Sequence, residues 1–241
     1  MKINCFSVTF WFNIFNNHND FIEILEDNFK DEYSSFNIQA YTDNLLNPVI
    51  TAINNEKRTN LSFSSINLQY NMDNVTFSDI DEFTNKVLNL YEILTSNGVE
   101  VLHTSLFING EKEMDNALKE IASNTISKGI YSDSLVDMTL KLGKCHEELF
   151  YKIITILNKK QVELPKVKDN EGRFIPIPLI SWNGAYVVNE IVDVSYEIND
   201  KYLFDYSKDY RTTEFYLNKM LYLLKEDFLI DVDNLIKKGK F

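Results

Sequence analysis

Residues 78–109, SDIDEFTNKVLNLYEILTSNGVEVLHTSLFIN, constrain the fold more than any other stretch, because a helix, its stop and a buried strand follow one another without a break. Ser78 is placed to cap the helix. Asp79, Asp81 and Glu82 put negative charge on its first turn, where N–H groups lack partners. Ile80, Phe83, Val87, Tyr91 and Leu94 recur at helical spacing and form an apolar stripe. Gly98 stands just past the last turn, the position where a left-handed stop is commonest. Val99, Val101, Leu102, Leu106, Phe107 and Ile108 then read as a strand apolar on both faces, which belongs in the middle of a sheet covered by helices.

The rest of the chain is placed around this unit. Residues 3–15 alternate Phe6, Val8, Phe10, Phe12 and Ile14 as a strand. The polar loop 16–20 leads to a helix marked by Phe21, Ile24, Leu25 and Phe29, and 36–41 is a short strand. Beyond the Asn47-Pro48 break, 49–53 and 61–70 read as a hairpin around 54–60. Residues 111–129 carry a short helix at most and serve as a connector. Residues 135–142 alternate as a strand.

The stretch 146–160 has a β-branched run, Ile153-Ile154-Thr155-Ile156. Its apolar residues also fall within one helical arc, with Glu147 and Glu148 at the start and Lys159 and Lys160 at the end, and this pattern predicts a helix. Strands are expected at 162–167 and 174–182, with Asn183-Gly184 turning the chain into a strand over 185–198. A long final helix starts at Thr212 or Thr213, with Phe215, Met220, Leu223 and Leu224, or Leu221, Leu224 and Phe228, facing inward. Residues 228–232 are expected to close a sheet as a strand.

The same order of elements thus recurs at an offset of roughly 125–135 positions, within the boundary error of such readings. The pattern predicts an α+β fold of two ferredoxin-like (split β-α-β) units packed together, antiparallel sheets with helices on one face. The first unit covers 1–110, a connector 111–130, and the second unit 131–241.

A chain of 241 residues that is 44% hydrophobic buries a large core, and four prolines with seven glycines leave little room for flexible linkers. No apolar run approaches the ~18–20 residues of a membrane span. The N-terminus lacks the pattern of a signal peptide, and Cys5 and Cys145 are too far apart in sequence to suggest a disulfide framework. A reducing, cytoplasmic setting is therefore expected. The net charge is −12, with arginine only at Arg58, Arg173 and Arg211, which argues against direct DNA or RNA binding. A basic protein, including one that itself handles nucleic acid, is the natural electrostatic partner.

Tyr91 in the middle of its helix, the strand end Leu106-Phe107-Ile108-Asn109 and the late strand Ile191-Val192-Asp193-Val194 resemble the pattern of a sporadically distributed bacterial family. In that family a helix with a central Tyr precedes a strand ending in an R-Y-I-N-like motif, and Leu106 stands here where Arg is found there. The resemblance implies no activity. In architecture and length the chain also resembles the double ferredoxin-like CRISPR RNA-processing RAMP proteins, but lacks their glycine-rich loop and basic RNA face.

Candidate chemistry is thin. Cys145-His146 is the one adjacent thiol–imidazole pair, His18 lies in an Asn-rich loop, and His103 falls in the central strand as a hydrogen-bonded core residue. Asp79-x-Asp81 and Asp231-x-Asp233 lack the converging oxygen ligands of a Mg²⁺ or Ca²⁺ site. No phosphate loop, dinucleotide fingerprint, nucleophile elbow or zinc spacing is present. No cofactor, metal or catalytic residue is therefore expected.

The residues left are acids. Glu23, Asp27 and Asp31 stand at four-residue steps on the first helix, and Asp193, Glu197, Asp200, Asp205 and Asp209 crowd a later stretch. With Trp182 and Tyr206 as aromatic anchors, they make a candidate surface for a basic groove. The expected function is that of a non-enzymatic acidic protein, phage or bacterial, that binds and blocks or regulates a nucleic-acid-directed, host-defence type effector. The alternatives are a RAMP-like RNA endonuclease using His18 or His146, and a self-associating scaffold.

Overall fold

The computed structural model describes residues 1–13, 18–33, 36–39, 49–125, 138–147, 149–163, 166–168, 174–176, 186–201 and 210–241. Among them the strands are β1 (Lys2–Phe12), β2 (Phe36–Gln39), β3 (Val49–Asn54), β4 (Thr59–Phe63), β5 (Asn67–Asp73), β6 (Val101–Glu113), β7 (Thr139–His146), β8 (Phe150–Glu163), β9 (Lys166–Lys168), β10 (Phe174–Pro176) and β11 (Tyr186–Asn199). The helices are α1 (His18–Phe29), α2 (Ile80–Ser96), α3 (Ala117–Thr125) and α4 (Glu214–Lys238). No helix among the described residues is long and apolar enough to cross a membrane.

Nine strands form one antiparallel sheet in the order β2-β3-β4-β5-β1-β6-β11-β8-β7, and β9 pairs with β10 apart from it. The fold is α+β, as expected, but a single continuous sheet runs through both halves of the chain. Its two central strands, β1 and β6, set Phe6 against Ile108 and Val8 against Leu106. The boundary expected at 110 falls inside β6.

Register puts the core on one face. The row Ala52, Leu61, Tyr70, Val8, Leu106, Ile198 crosses six strands, and every member is buried. A second row, Met72, Phe6, Ile108, Tyr196, Ile154, is buried throughout. The helices cover this face. Phe83 of α2 packs on Phe6 and Tyr70, and Phe228 of α4 meets Tyr196 edge-on. Tyr33, just past α1, donates from its hydroxyl to Thr59 Oγ1 at 3.3 Å, and α3 packs on α4 with Asn124 Nδ2 donating to Ile236 O at 2.9 Å. Successive strand side chains alternate faces, so the second face of the sheet carries the other half of every strand.

The central unit forms largely as its sequence dictates. Ile80, Phe83, Val87 and Leu94 are buried with Leu90, while Tyr91 is half-buried and donates to Thr212 O at 2.9 Å. Gly98 has φ of +77°, the left-handed stop. The cap differs: Thr76 precedes a short 3-10 turn at Phe77–Asp79, and the Asp79 carboxylate accepts from Thr76 N at 2.7 Å.

Three elements depart from expectation. Residues 61–70 are not one strand: Ser64 Oγ accepts from Asn67 N at 3.2 Å, and this turn splits them into β4 and β5. Most of 146–160 is strand β8, not a helix. It lies between β7 and β11, with Phe150, Ile154 and Ile156 under the helices and Ile153, Thr155 and Leu157 on the second face. The β-branched run decided the outcome, since stiff χ1 rotamers pack well on a pleated surface. Residues 228–232 are not a strand. They lie within the 25-residue α4, whose inward stripe runs on through Leu224, Phe228, Val232 and Leu235 to a left-handed Gly239.

The repeat therefore takes another form. From β1, the chain passes through α1 to the edge strand β2, returns through β3 and β4 to β5 beside β1, and continues into α2. From β6, it passes through α3 to the opposite edge strand β7, returns through β8 to β11 beside β6, and continues into α4. The two paths run in opposite directions from the centre.

Candidate functional site

The sheet's second face has no described helix over it. Its central positions are Cys5, Ser7, Thr9 and Trp11 of β1, His103, Ser105, Phe107 and Asn109 of β6, and Asp193, Ser195, Glu197 and Asn199 of β11. None is Lys or Arg. Asp73 of β5 extends the row Cys5, Asn109, Ser195 on one side, and Tyr151 and Ile153 of β8 add half-exposed apolar groups on the other. The thiol of Cys5 is pushed above its ordinary pKa by burial and by the Asp73 carboxylate, so it is not a reactive thiolate.

Two carboxylates on this face are held in place. Asp193 Oδ1 accepts from Asn109 Nδ2 at 2.7 Å, and Asn109 is itself oriented by Asn4 Nδ2 at 3.0 Å. Glu197 Oε1 accepts from Ser105 Oγ at 2.9 Å and from Asn199 Nδ2 at 2.7 Å. These donors are neutral, so they orient the Glu197 carboxylate without cancelling its charge. Both acids are half-buried among apolar neighbours, where their field is less screened than it would be on a mobile side chain.

Asp200, expected on this surface, is fully buried at the end of β11. Its Oδ1 accepts from Thr104 N at 2.8 Å and lies 2.5 Å from His103 Nδ1. Its Oδ2 accepts from Thr212 Oγ1 at 2.5 Å and Tyr210 OH at 3.0 Å. A buried carboxylate must be satisfied, and four donors do so here, which removes Asp200 from any contact surface. Trp11 stacks on the His103 ring at 4.6 Å between centroids. The cluster ties the start of β6 to the segment leading into α4. Its only trace in the sequence is the expectation that His103 is bonded in the core.

The acids expected on the first helix lie elsewhere, Glu23 and Asp27 on α1 and Asp31 in the turn just past its end. Glu23, Asp27 and Asp31 are exposed, as expected. However, α1 sits on the helix-covered side, where Glu32 pairs with Lys86 of α2 and Tyr33 reaches β4. The two acidic sets are therefore on opposite sides of the sheet and cannot meet one partner surface together. Trp182, Asp205, Tyr206 and Asp209 lie outside the described residues, as does the Asn183-Gly184 turn.

The candidate chemistry is scattered. Cys145 and His146 are neighbours on strand β7, so Cys145 is on the open face and His146 on the helix face, opposite Phe150. Burial, aided by the Lys152 ammonium, holds His146 below its ordinary pKa and so neutral. Asp81 pairs with Lys225 at 2.6 Å, and Asp233 with Lys112 at 3.2 Å and Lys237 at 2.9 Å. Asp231 accepts from Tyr196 OH at 2.8 Å and from the buried Lys152 at 3.3 Å, and Lys152 also pairs with Asp227. That network locks α4 onto β8 and β11. Among the described residues, no group of three or more His, Cys, Asp or Glu is placed to hold a metal ion. No family model matches the chain, and no curated protein matches it as a relative.

Proposed function

We propose that the chain is a non-enzymatic interaction protein whose open sheet face, centred on Asp193 and Glu197, docks on a basic protein surface. The observation carrying this reading is that both carboxylates are fixed by amide and hydroxyl donors of β6 and β11, while the one Lys or Arg that the three central strands bring to this face is Lys2, set opposite Glu111 at the end of β1. Fixed charges lose little entropy on binding and steer a basic partner from a distance. Trp11, Phe107 and Tyr151, half-exposed on the same face, are of the type that anchors interfaces.

The partner fitting this chemistry is a protein that handles nucleic acid, such as a host-defence effector, whose phosphate-binding groove the acidic face would occupy. In that reading the protein is phage or bacterial and works in the cytoplasm. We read each half as a ferredoxin-like unit with a widened meander, fused to the other through β1 and β6.

The test uses immobilised chain and purified Lys/Arg-rich nucleic-acid-binding proteins, with and without competing RNA. Binding is expected to fall at least about tenfold in Asp193→Lys/Glu197→Lys, to persist in Glu23→Lys/Asp27→Lys/Asp31→Lys, and to be displaced by RNA. Binding that survives reversal of the β11 acids, or cleavage of labelled RNA by the chain itself, refutes the reading.

A further inference from the structure

Seven large apolar side chains are exposed among the described residues, and four belong to α4: Phe215 (70%), Tyr222 (63%), Leu229 (42%) and Ile230 (58%). Phe215, Tyr222 and Leu229 recur every seven residues, so with Ile230 they form one stripe along the outer side of the helix, about 22 Å long. Four such residues aligned are a patch, which solitary exposed apolar residues are not. The inner side of α4 is separately satisfied by Leu217, Leu221, Leu224, Phe228 and Leu235. Lys225 to Asp81 on one flank and Lys219 to Glu147 on the other hold the helix with this stripe outward.

We infer that the stripe is a homodimer seam, in which α4 packs antiparallel on α4 of a second copy about a two-fold axis between positions 222 and 223. Charge identifies the occupant. The chain as a whole carries −12, yet α4 has four lysines against five carboxylates, two of which, Asp227 and Asp231, turn inward onto Lys152, so its outer side is close to neutral and repels a second copy little. The two charges within the stripe, Lys219 and Glu226, are of opposite sign and equidistant from that axis. Lys219 already donates to Glu147 of its own chain, and in an antiparallel pair its remaining N–H donors face the other copy's Glu226, while Phe215 faces Ile230 and the two Tyr222 rings meet at the centre. A two-fold seam requires this self-complementarity.

One helix face is small beside the ~800 Å² per partner of a stable interface, so the dimer is expected to be concentration-dependent. Its sheets lie on the outside, leaving both acidic faces accessible.

Sedimentation velocity across a wide concentration range tests the seam without any partner. The wild type is expected to pass from monomer to dimer. Tyr222→Glu and Ile230→Glu are expected to be monomeric at all concentrations with unchanged circular dichroism, since both side chains are already in solvent. Glu226→Lys sets two ammonium groups against each other across the seam, leaves the Lys219–Glu147 pair intact and is expected to weaken the dimer, with Glu226→Gln weakening it less. In a Cys5→Ser/Cys145→Ser background, Tyr222→Cys is expected to form an intermolecular disulfide on oxidation. A wild type monomeric throughout, or a dimer indifferent to the stripe variants or to Glu226→Lys, overturns the inference.

Discussion

Asp200 illustrates how far a residue's role depends on where its strand ends. In the sequence it is one acid in a run of acids, and nothing local marks it for burial. At the end of β11 it meets Thr104 N, His103, Tyr210 and Thr212, all more than nine positions away in the chain. Asp200→Ala strands these donors and is expected to cost about 3 kcal/mol or more in urea unfolding, against less than about 1 kcal/mol for Asp27→Ala on the exposed side of α1.

The tyrosines give a pH signature at the same scale. Burial pushes the Tyr33 hydroxyl up to about 12 and raises Tyr70, Tyr196 and Tyr210 as well. The unfolded chain releases these protons near pH ~10, so unfolding releases protons above that pH. Stability from these groups is complete below pH ~10 and is expected to fall as pH rises toward ~12, with Tyr33→Phe reducing the loss in alkaline denaturation. Loss of stability confined to acid conditions would contradict these burial assignments.

Among the elements, β1 and the α2 stripe with its Gly98 stop were legible from a single unambiguous period, and β6 from its apolar run, though not its extension past 110 to Glu113. Two were not. β8 is apolar on both faces and carries Lys152 and Asn158 on its buried side, which erased the alternation that marks a strand. Phe228–Val232 looked β-like in isolation, but Asp227 and Asp231, one helical turn apart, both reach Lys152, and that contact belongs to a helix. The assumption that Phe215 turns inward failed for a related reason: α4 has apolar residues on two sides, and only one can face the sheet.

The helix stops differ in a testable way. A Cβ on Gly98 meets nothing within 4 Å, so Gly98→Ala is expected to cost about 1 kcal/mol through its left-handed backbone alone. A Cβ on Gly239 would lie 1.9 Å from Asn124 O, so Gly239→Ala must also shift α3 and is expected to cost clearly more in thermal unfolding. Lys152→Ala leaves Asp227 and Asp231 without their shared buried cation and is expected to cost about 3 kcal/mol by the same measurement.

At the scale of the molecule, acidity was legible in the sequence, but not the single continuous sheet that runs from β2 to β7. Whether Glu23, Asp27 and Asp31 share a surface with Asp193 and Glu197 depends on which side of the sheet α1 packs, and that is settled by long-range contacts such as Tyr33 with Thr59. The result is a molecule with two differently equipped sides. One is a sheet face with oriented carboxylates. The other is a helical layer whose outermost ridge is apolar. Pairing through the ridge would present two acidic faces to a partner and raise avidity without new contacts. Chemical footprinting of carboxylates in the complex with a basic nucleic-acid-binding protein tests the central claim most directly. Glu197 and Asp73 are expected to be shielded on binding while Glu23, Asp27 and Asp31 react as in the free chain; shielding of those three acids with Glu197 unchanged refutes docking through the sheet face.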